Sequence, residues 1–193
     1  SMKRFILLMA CILGLFSSIN AQLEVQIGEG SATNANLPTN LYYEHSVSQQ
    51  IYTAEDMQGA VGSITGFSVK LASPAVNVNR DFAIYMVNTD KLSFESNYDW
   101  YPVTQNDLVY DGIVTLNGYD GDLVTIDFQT PFEYTGENLI LYVCDKSGSI
   151  ATTTRFYTWA SAASRSLRVA RDSSPSDVNN MSSIRGSRLS MNH

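Results

Sequence analysis

Beyond its first twenty-one residues the chain alternates apolar and polar side chains in short runs, each closed by turn residues. Glu24 to Ile27 alternates and stops at Gly28-Glu29-Gly30. Leu41 to Val47 follows Asn40, and Ser63 to Leu71 ends before Pro74. Asp81 to Val87 sets Phe82, Ile84 and Met86 against Ala83, Tyr85 and Val87, so both of its faces are apolar and it is predicted to be a central strand. Leu108 to Leu116 and Leu123 to Phe128 flank Asn117-Gly118-Tyr119-Asp120-Gly121-Asp122. The two glycine dipeptides supply the positive φ of a tight turn, which predicts a hairpin. Leu139 to Cys144, Phe156 to Ala160, Leu167 to Ala170 and Arg188 to Met191 complete a set of about ten strands.

Helical pattern is confined to Thr53-Ala54-Glu55-Asp56-Met57, where Thr53 caps one turn and Asp56 stands at the third position after it. The long amphipathic helices that βαβ crossovers need are missing from the pattern. The expected fold is all-β, an antiparallel jelly-roll-like β-sandwich formed as one domain over residues 22–193. The polar segment Asp172 to Ser183 is read as a surface loop inside it.

Residues 1–21 stand apart. Ser1 ahead of Met2 reads as a tag remnant. Lys3 and Arg4 form a positive start, Phe5 to Phe16 an apolar run shorter than a membrane span, and Ser17 to Ala21 a small or polar cleavage region. Export with cleavage between Ala21 and Gln22 is expected. Leu8-Met9-Ala10-Cys11 is a loose lipobox and offers lipidation as the alternative within export. No later segment is apolar enough to span a bilayer.

Charge narrows the function classes. The 193 residues carry a net charge of −7, and removal of Lys3 and Arg4 takes it to −9. Nucleic acids and anionic membranes are poor partners for such a surface. The acids are concentrated before residue 155, whereas Arg155 to His193 carries six arginines against two acids. Cross-strand pairing with acidic neighbours accounts for that asymmetry, and an arginine-lined patch for an anionic glycan or protein is the alternative. After leader cleavage Cys144 is the remaining cysteine, and its apolar run predicts a buried thiol.

Catalytic chemistry finds few of its parts. A nucleophile–histidine pair would have to use His45, which stands in a predicted strand between Glu44 and Ser46. Zinc lacks a His or Cys pair at recognised spacing, and Gly28-Glu29-Gly30 fits no phosphate-binding loop. A glycosidase working with two carboxylates on a sandwich is the enzymatic alternative, although no short motif singles out such a pair. Structural calcium is the cofactor to consider, with Asp111, Asp120 and Asp122 as candidate ligands. Asn97-Tyr98-Asp99-Trp100-Tyr101-Pro102 places three rings among polar residues, so Tyr98, Trp100 and Tyr101 are the candidate ligand-binding residues. The opposing possibility is that Trp100 covers an end of the core.

Four phrases occur in order: Ile27-Gly28-Glu29-Gly30, Ser48-Gln49-Gln50-Ile51-Tyr52-Thr53-Ala54-Glu55-Asp56, Ile84-Tyr85-Met86-Val87-Asn88-Thr89-Asp90-Lys91, and Pro131-Phe132-Glu133-Tyr134-Thr135-Gly136-Glu137-Asn138-Leu139. With them the chain resembles the cleaved adhesin domains, the gingipain and haemagglutinin-type modules of Gram-negative surface proteins, over residues 27–191. The resemblance implies a jelly-roll sandwich without catalytic residues that adheres to a host or matrix protein or a glycan, often within a larger surface protein. It also implies structural calcium in many members, but the acidic loops here are sparse. A structural spacer in such a protein is the remaining alternative.

Overall fold

A computed structural model describes residues 23–173 and 177–193, so the expected leader and its cleavage site lie outside the described residues. The described residues form eleven strands: β1 Ala32–Asn34, β2 His45–Tyr52, β3 Gly62–Lys70, β4 Ala75–Thr89, β5 Leu108–Gly118, β6 Leu123–Tyr134, β7 Asn138–Asp145, β8 Phe156–Ala160, β9 Ser166–Arg171, β10 Ser187–Leu189 and β11 Met191–Asn192. All their pairings are antiparallel. One layer is a six-stranded sheet in the order β10-β9-β2-β7-β4-β5. The second layer combines the pair β3-β6 with the sheet β1-β8-β11, joined by a bridge between Leu71 and Phe156. The architecture is the all-β sandwich that the alternation predicts.

The middle of the large sheet, β2, β7 and the second half of β4, is buried on both faces. Towards the second layer, Phe82, Ile84 and Met86 of β4 and Leu139, Leu141 and Val143 of β7 meet Val69, Val124, Ile126 and Phe156. On the opposite face, Ala83, Tyr85 and Val87 join Ile140, Tyr142 and Cys144 beneath Phe94, Trp100, Val103 and Met181, which come from loops. β4 lies between β7 and β5, the central place its two apolar faces predict. The cover of the outer face explains why β2 and β7 carry almost no exposed residue.

Several boundaries differ from the sequence reading. Glu24 to Ile27 forms no strand: the segment finds no partner strand and Ile27 packs on the core from an extended coil. The first strand is Ala32–Asn34, which pairs with β8. Residues 41–44 turn, and the strand expected at Leu41 to Val47 begins at His45 and runs to Tyr52. Arg188 to Met191 divides into β10 and β11, one joining each layer.

The largest correction concerns Asn117 to Asp122. Its flanking strands are not hydrogen-bonded neighbours, because β5 is the edge of the large sheet while β6 pairs with β3. The turn crosses from one layer to the other. Gly121 takes a positive φ of 90°, and its N–H donates to Leu71 O at 2.8 Å while Leu71 N–H donates to Asp122 O at 2.9 Å, docking the turn on the end of β3. Farther along, the Gln129 side chain bonds both the N–H and the carbonyl of Asp111, each at 3.0 Å, so an amide rather than a strand ladder links β6 to β5.

The helical turn at Thr53 has the expected reciprocal cap: Thr53 N–H donates to Asp56 Oδ2 at 2.8 Å and Asp56 N–H to Thr53 Oγ1 at 3.2 Å. The loop after Asp172 carries a short 3-10 segment, Val178–Ser183, whose Met181 is driven into the outer core.

Candidate functional site

Two adjoining depressions of about 220 and 480 Å³ form a groove at the end of the sandwich where β4 finishes. They share Met86, Asp107 and Phe132. Tyr101, Pro102 and Thr104 line one side, and Thr130, Pro131 and Glu133 of β6 line the other. The lining mixes apolar Pro102, Pro131 and Phe132 with polar Thr104, Asp107 and Thr130, and Glu133 among them is exposed.

Each wall is fixed by a polar device. Gln49, fully buried on β2, donates through Nε2 to Tyr101 O at 2.7 Å and accepts from Tyr101 N–H at 2.8 Å. The loop backbone is held by a side chain as a neighbouring strand would hold it, and Tyr101, partly buried against the outer core, stands in the groove's lining. Thr104 caps a single 3-10 turn, Gln105–Asp107, and Asp107 Oδ2 accepts from Thr104 N–H at 2.7 Å and Thr104 Oγ1 at 3.0 Å. Asn88 bridges the layers: Nδ2 donates to Glu133 O at 2.9 Å and Oδ1 accepts from Thr135 N–H at 3.1 Å. The Asp107 carboxylate at this groove is therefore spent on a cap.

The three candidate aromatic residues part company. Tyr101 lines the groove. Tyr98 is 51% exposed on the preceding loop. Trp100 is 8% exposed and donates through Nε1 to Ile184 O at 2.7 Å, so its ring closes the outer core and presents no stacking face. That corrects its candidacy as a binding residue: the segment ending at Ile184 covers it, and sequence pattern carries no information on that cover.

The candidate calcium ligands do not converge. Asp111 Oδ1 pairs with Lys146 Nζ at 2.6 Å, Asp120 Oδ1 accepts from Tyr157 Oη at 3.0 Å, and Asp122 Oδ2 accepts from Tyr119 N–H at 2.8 Å. Among the described residues no three His, Cys, Asp or Glu side chains assemble into a metal-holding group.

The remaining polar groups are largely committed to structure. His45 is buried on the face of β2 that carries Val47, without an assembled nucleophile beside it in the hydrogen-bond pattern. Cys144 is buried, and desolvation pushes its thiol up to about 12, away from nucleophile chemistry. The C-terminal arginines serve different ends. Arg165 pairs with Asp56 at 2.8 Å, while Arg188 donates to the carbonyls of Phe94 and Glu95. Burial lowers the pKa of Arg168, and Arg155 and Arg185 are exposed. The Arg165–Asp56 pair joins the loop before β9 to the helical turn at Thr53, so none of these contacts is the cross-strand pairing with acids that the charge asymmetry suggested.

Searched against protein-family models, curated proteins and solved structures, the chain matches none. Among the described residues no helix is long and apolar enough to cross a membrane.

Proposed function

We propose that this chain is a non-enzymatic binding module, exported to the outer surface or medium, that holds an extended protein segment in the groove beside Tyr101. The observation that carries the reading is the composition of that groove. Met86, Pro102, Tyr101 and Phe132 offer apolar surface, while its inner carboxylate, Asp107, is consumed by the Thr104 cap. A glycosidase needs two carboxylates free to act on opposite sides of a bond. A groove that mixes proline and aromatic surface with hydroxyl and amide side chains suits recognition instead. The leader-like sequence of residues 1–21 supports export, and the resemblance to cleaved adhesin domains supports adhesion to a host or matrix protein, alone or within a larger surface protein.

The test is binding of residues 22–193 to an array of extracellular-matrix proteins and glycans, with and without calcium. Retention on a protein, weakened about tenfold by Tyr101→Ala with the β-sheet circular dichroism retained, is the expected result. Turnover of an oligosaccharide abolished by Glu133→Gln would replace this reading with the enzymatic one, and a blank array would favour the spacer.

A further inference from the structure

We infer a second binding surface, for an uncharged hexopyranose chain, on the outward face of the second layer where β3, β6 and β8 meet the β5–β6 turn. It lies at the start of β4, whereas the groove lies at its end, and it does not depend on the groove reading.

Strand alternation builds the surface. Val69 of β3, Val124 of β6, and Phe156 and Thr158 of β8 are buried, so their neighbours Lys70, Leu123 and Tyr157 face outward. Lys70 and Leu123 are register partners, and the bridge from Leu71 to Phe156 brings β8 beside them. The Tyr157 ring is held at two points. Lys70 Nζ stands 5.1 Å from its centroid, and its hydroxyl donates to Asp120 Oδ1 at 3.0 Å. Tyr119, next to Asp120 in the turn, is 65% exposed, and Leu123 is 66% exposed. The Tyr119 backbone is itself fixed by its bond to the Asp122 carboxylate.

These parts match the chemistry of a sugar. The C–H face of a pyranose packs on a flat phenol ring, which the 65% exposed Tyr119 offers, and hydroxyls that both donate and accept fit the ammonium that stands over the Tyr157 ring and the carboxylate at its hydroxyl. A ring already immobilised loses little freedom on binding. Charge decides between neutral and acidic sugars. Lys70 and Asp120 offset one another at the platform while the chain as a whole carries −7, so a polyanion meets no local positive excess and is repelled at long range.

The experiment titrates the chain, by calorimetry and by amide chemical-shift perturbation, with cellohexaose, maltohexaose, mannohexaose and a β-galactan hexasaccharide, and with heparin as the anionic comparison. The expected result is binding of at least one neutral oligosaccharide, with shifts grouped at Lys70, Tyr119 to Leu123 and Tyr157 and little change with salt. Tyr157→Ala and Tyr119→Ala weaken it about tenfold, and Tyr157→Phe, which keeps the ring, by about threefold. Tyr101→Ala leaves it unchanged, which separates this surface from the groove. Tyr119 is exposed and Tyr157 half-buried on the outward face, so circular dichroism checks the fold of each alanine variant, and Lys70→Gln gives a further variant should any alanine fail. The proposal is overturned if no neutral hexasaccharide shifts these amides at millimolar concentration. Shifts that group instead around Tyr101 and Phe132, or heparin binding alone that is lost in salt, overturn it as well.

Discussion

Removing one side of the Arg80–Asp145 pair will test whether the interior of the sandwich is held by charge as well as by apolar packing. Both side chains are fully buried, and Arg80 Nε donates to Asp145 Oδ2 at 2.8 Å. The guanidinium also donates to Ser149 O at 2.6 Å and Tyr43 O at 3.0 Å. The carboxylate accepts from Thr39 Oγ1 at 3.2 Å through Oδ2, and from Ser147 N–H at 3.1 Å and Ser147 Oγ at 2.6 Å through Oδ1. β4, β7 and the loops around Tyr43 and Ser149 thus converge on one ion pair. Asp145→Ala leaves the guanidinium buried and unpaired, a change that costs about 3–5 kcal/mol. At a urea m-value of about 2 kcal/mol per molar, the unfolding midpoint falls by about 1.5–2.5 M. Arg80→Met with Asp145→Leu removes both charges together, so the double variant should be more stable than the sum of the singles by about 2 kcal/mol or more. Urea unfolding followed by tryptophan fluorescence and circular dichroism measures Asp145→Ala and the four corners of the cycle, the unaltered chain, Arg80→Met, Asp145→Leu and the double variant. A loss below about 1 kcal/mol for Asp145→Ala, or strict additivity, would refute the argument.

Trp100→Ala should cost about 3–5 kcal/mol because it opens the outer core, and Trp100→Phe less, since it keeps most of the ring and loses the bond to Ile184 O; an unchanged melting curve for the alanine variant would return Trp100 to the surface. Cys144, with its thiol pushed up to about 12 by burial, should resist an aromatic disulfide reagent at pH 8 until the chain unfolds, and dithiothreitol should leave the melting temperature of the folded protein unaltered. Rapid labelling under native conditions would show the outer core to be open. His193 governs an acid limb: Gln50 Oε1 accepts its N–H at 2.8 Å, so Gln50 Nε2, 2.6 Å from Nδ1, faces an unprotonated nitrogen, and burial pushes the imidazole down to about 3. The unfolded chain, with histidine near 6.5, binds the proton first, so this contribution is complete above pH 6.5 and is lost as pH falls towards 3. His193→Gln should flatten stability against pH across that window, and an unaltered slope would show the ring to be solvated.

What the sequence makes legible follows from where the physics is local. β3, β4, β7 and β8 are readable because burial alternates along them or covers both faces, and that leaves a periodic or continuous apolar record. β1 leaves no such record: Ala32–Asn34 is largely exposed and exists through its pairing with β8. Glycine dipeptides specify backbone angles at a turn and are silent on whether the strands they join will pair. Asp120-Gly121 therefore reads correctly as a turn, whereas Asn117-Gly118 ends β5 without a positive φ at Gly118, and the hairpin reading fails because β6 finds β3 across the sandwich. The same limit governs the surfaces. Tyr98, Trp100 and Tyr101 are alike as local sequence, yet one is exposed, one closes a core and one lines a groove, according to whether the segment ending at Ile184 or the Gln49 side chain meets them. Asp120, in the β5–β6 turn, and Tyr157 of β8 are joined by a hydrogen bond across 37 positions of chain, and Lys70 comes to the same ring from β3. Recognition chemistry in a sandwich is assembled across strands in this way, so the residues that create it are ordinary strand residues until register places them side by side.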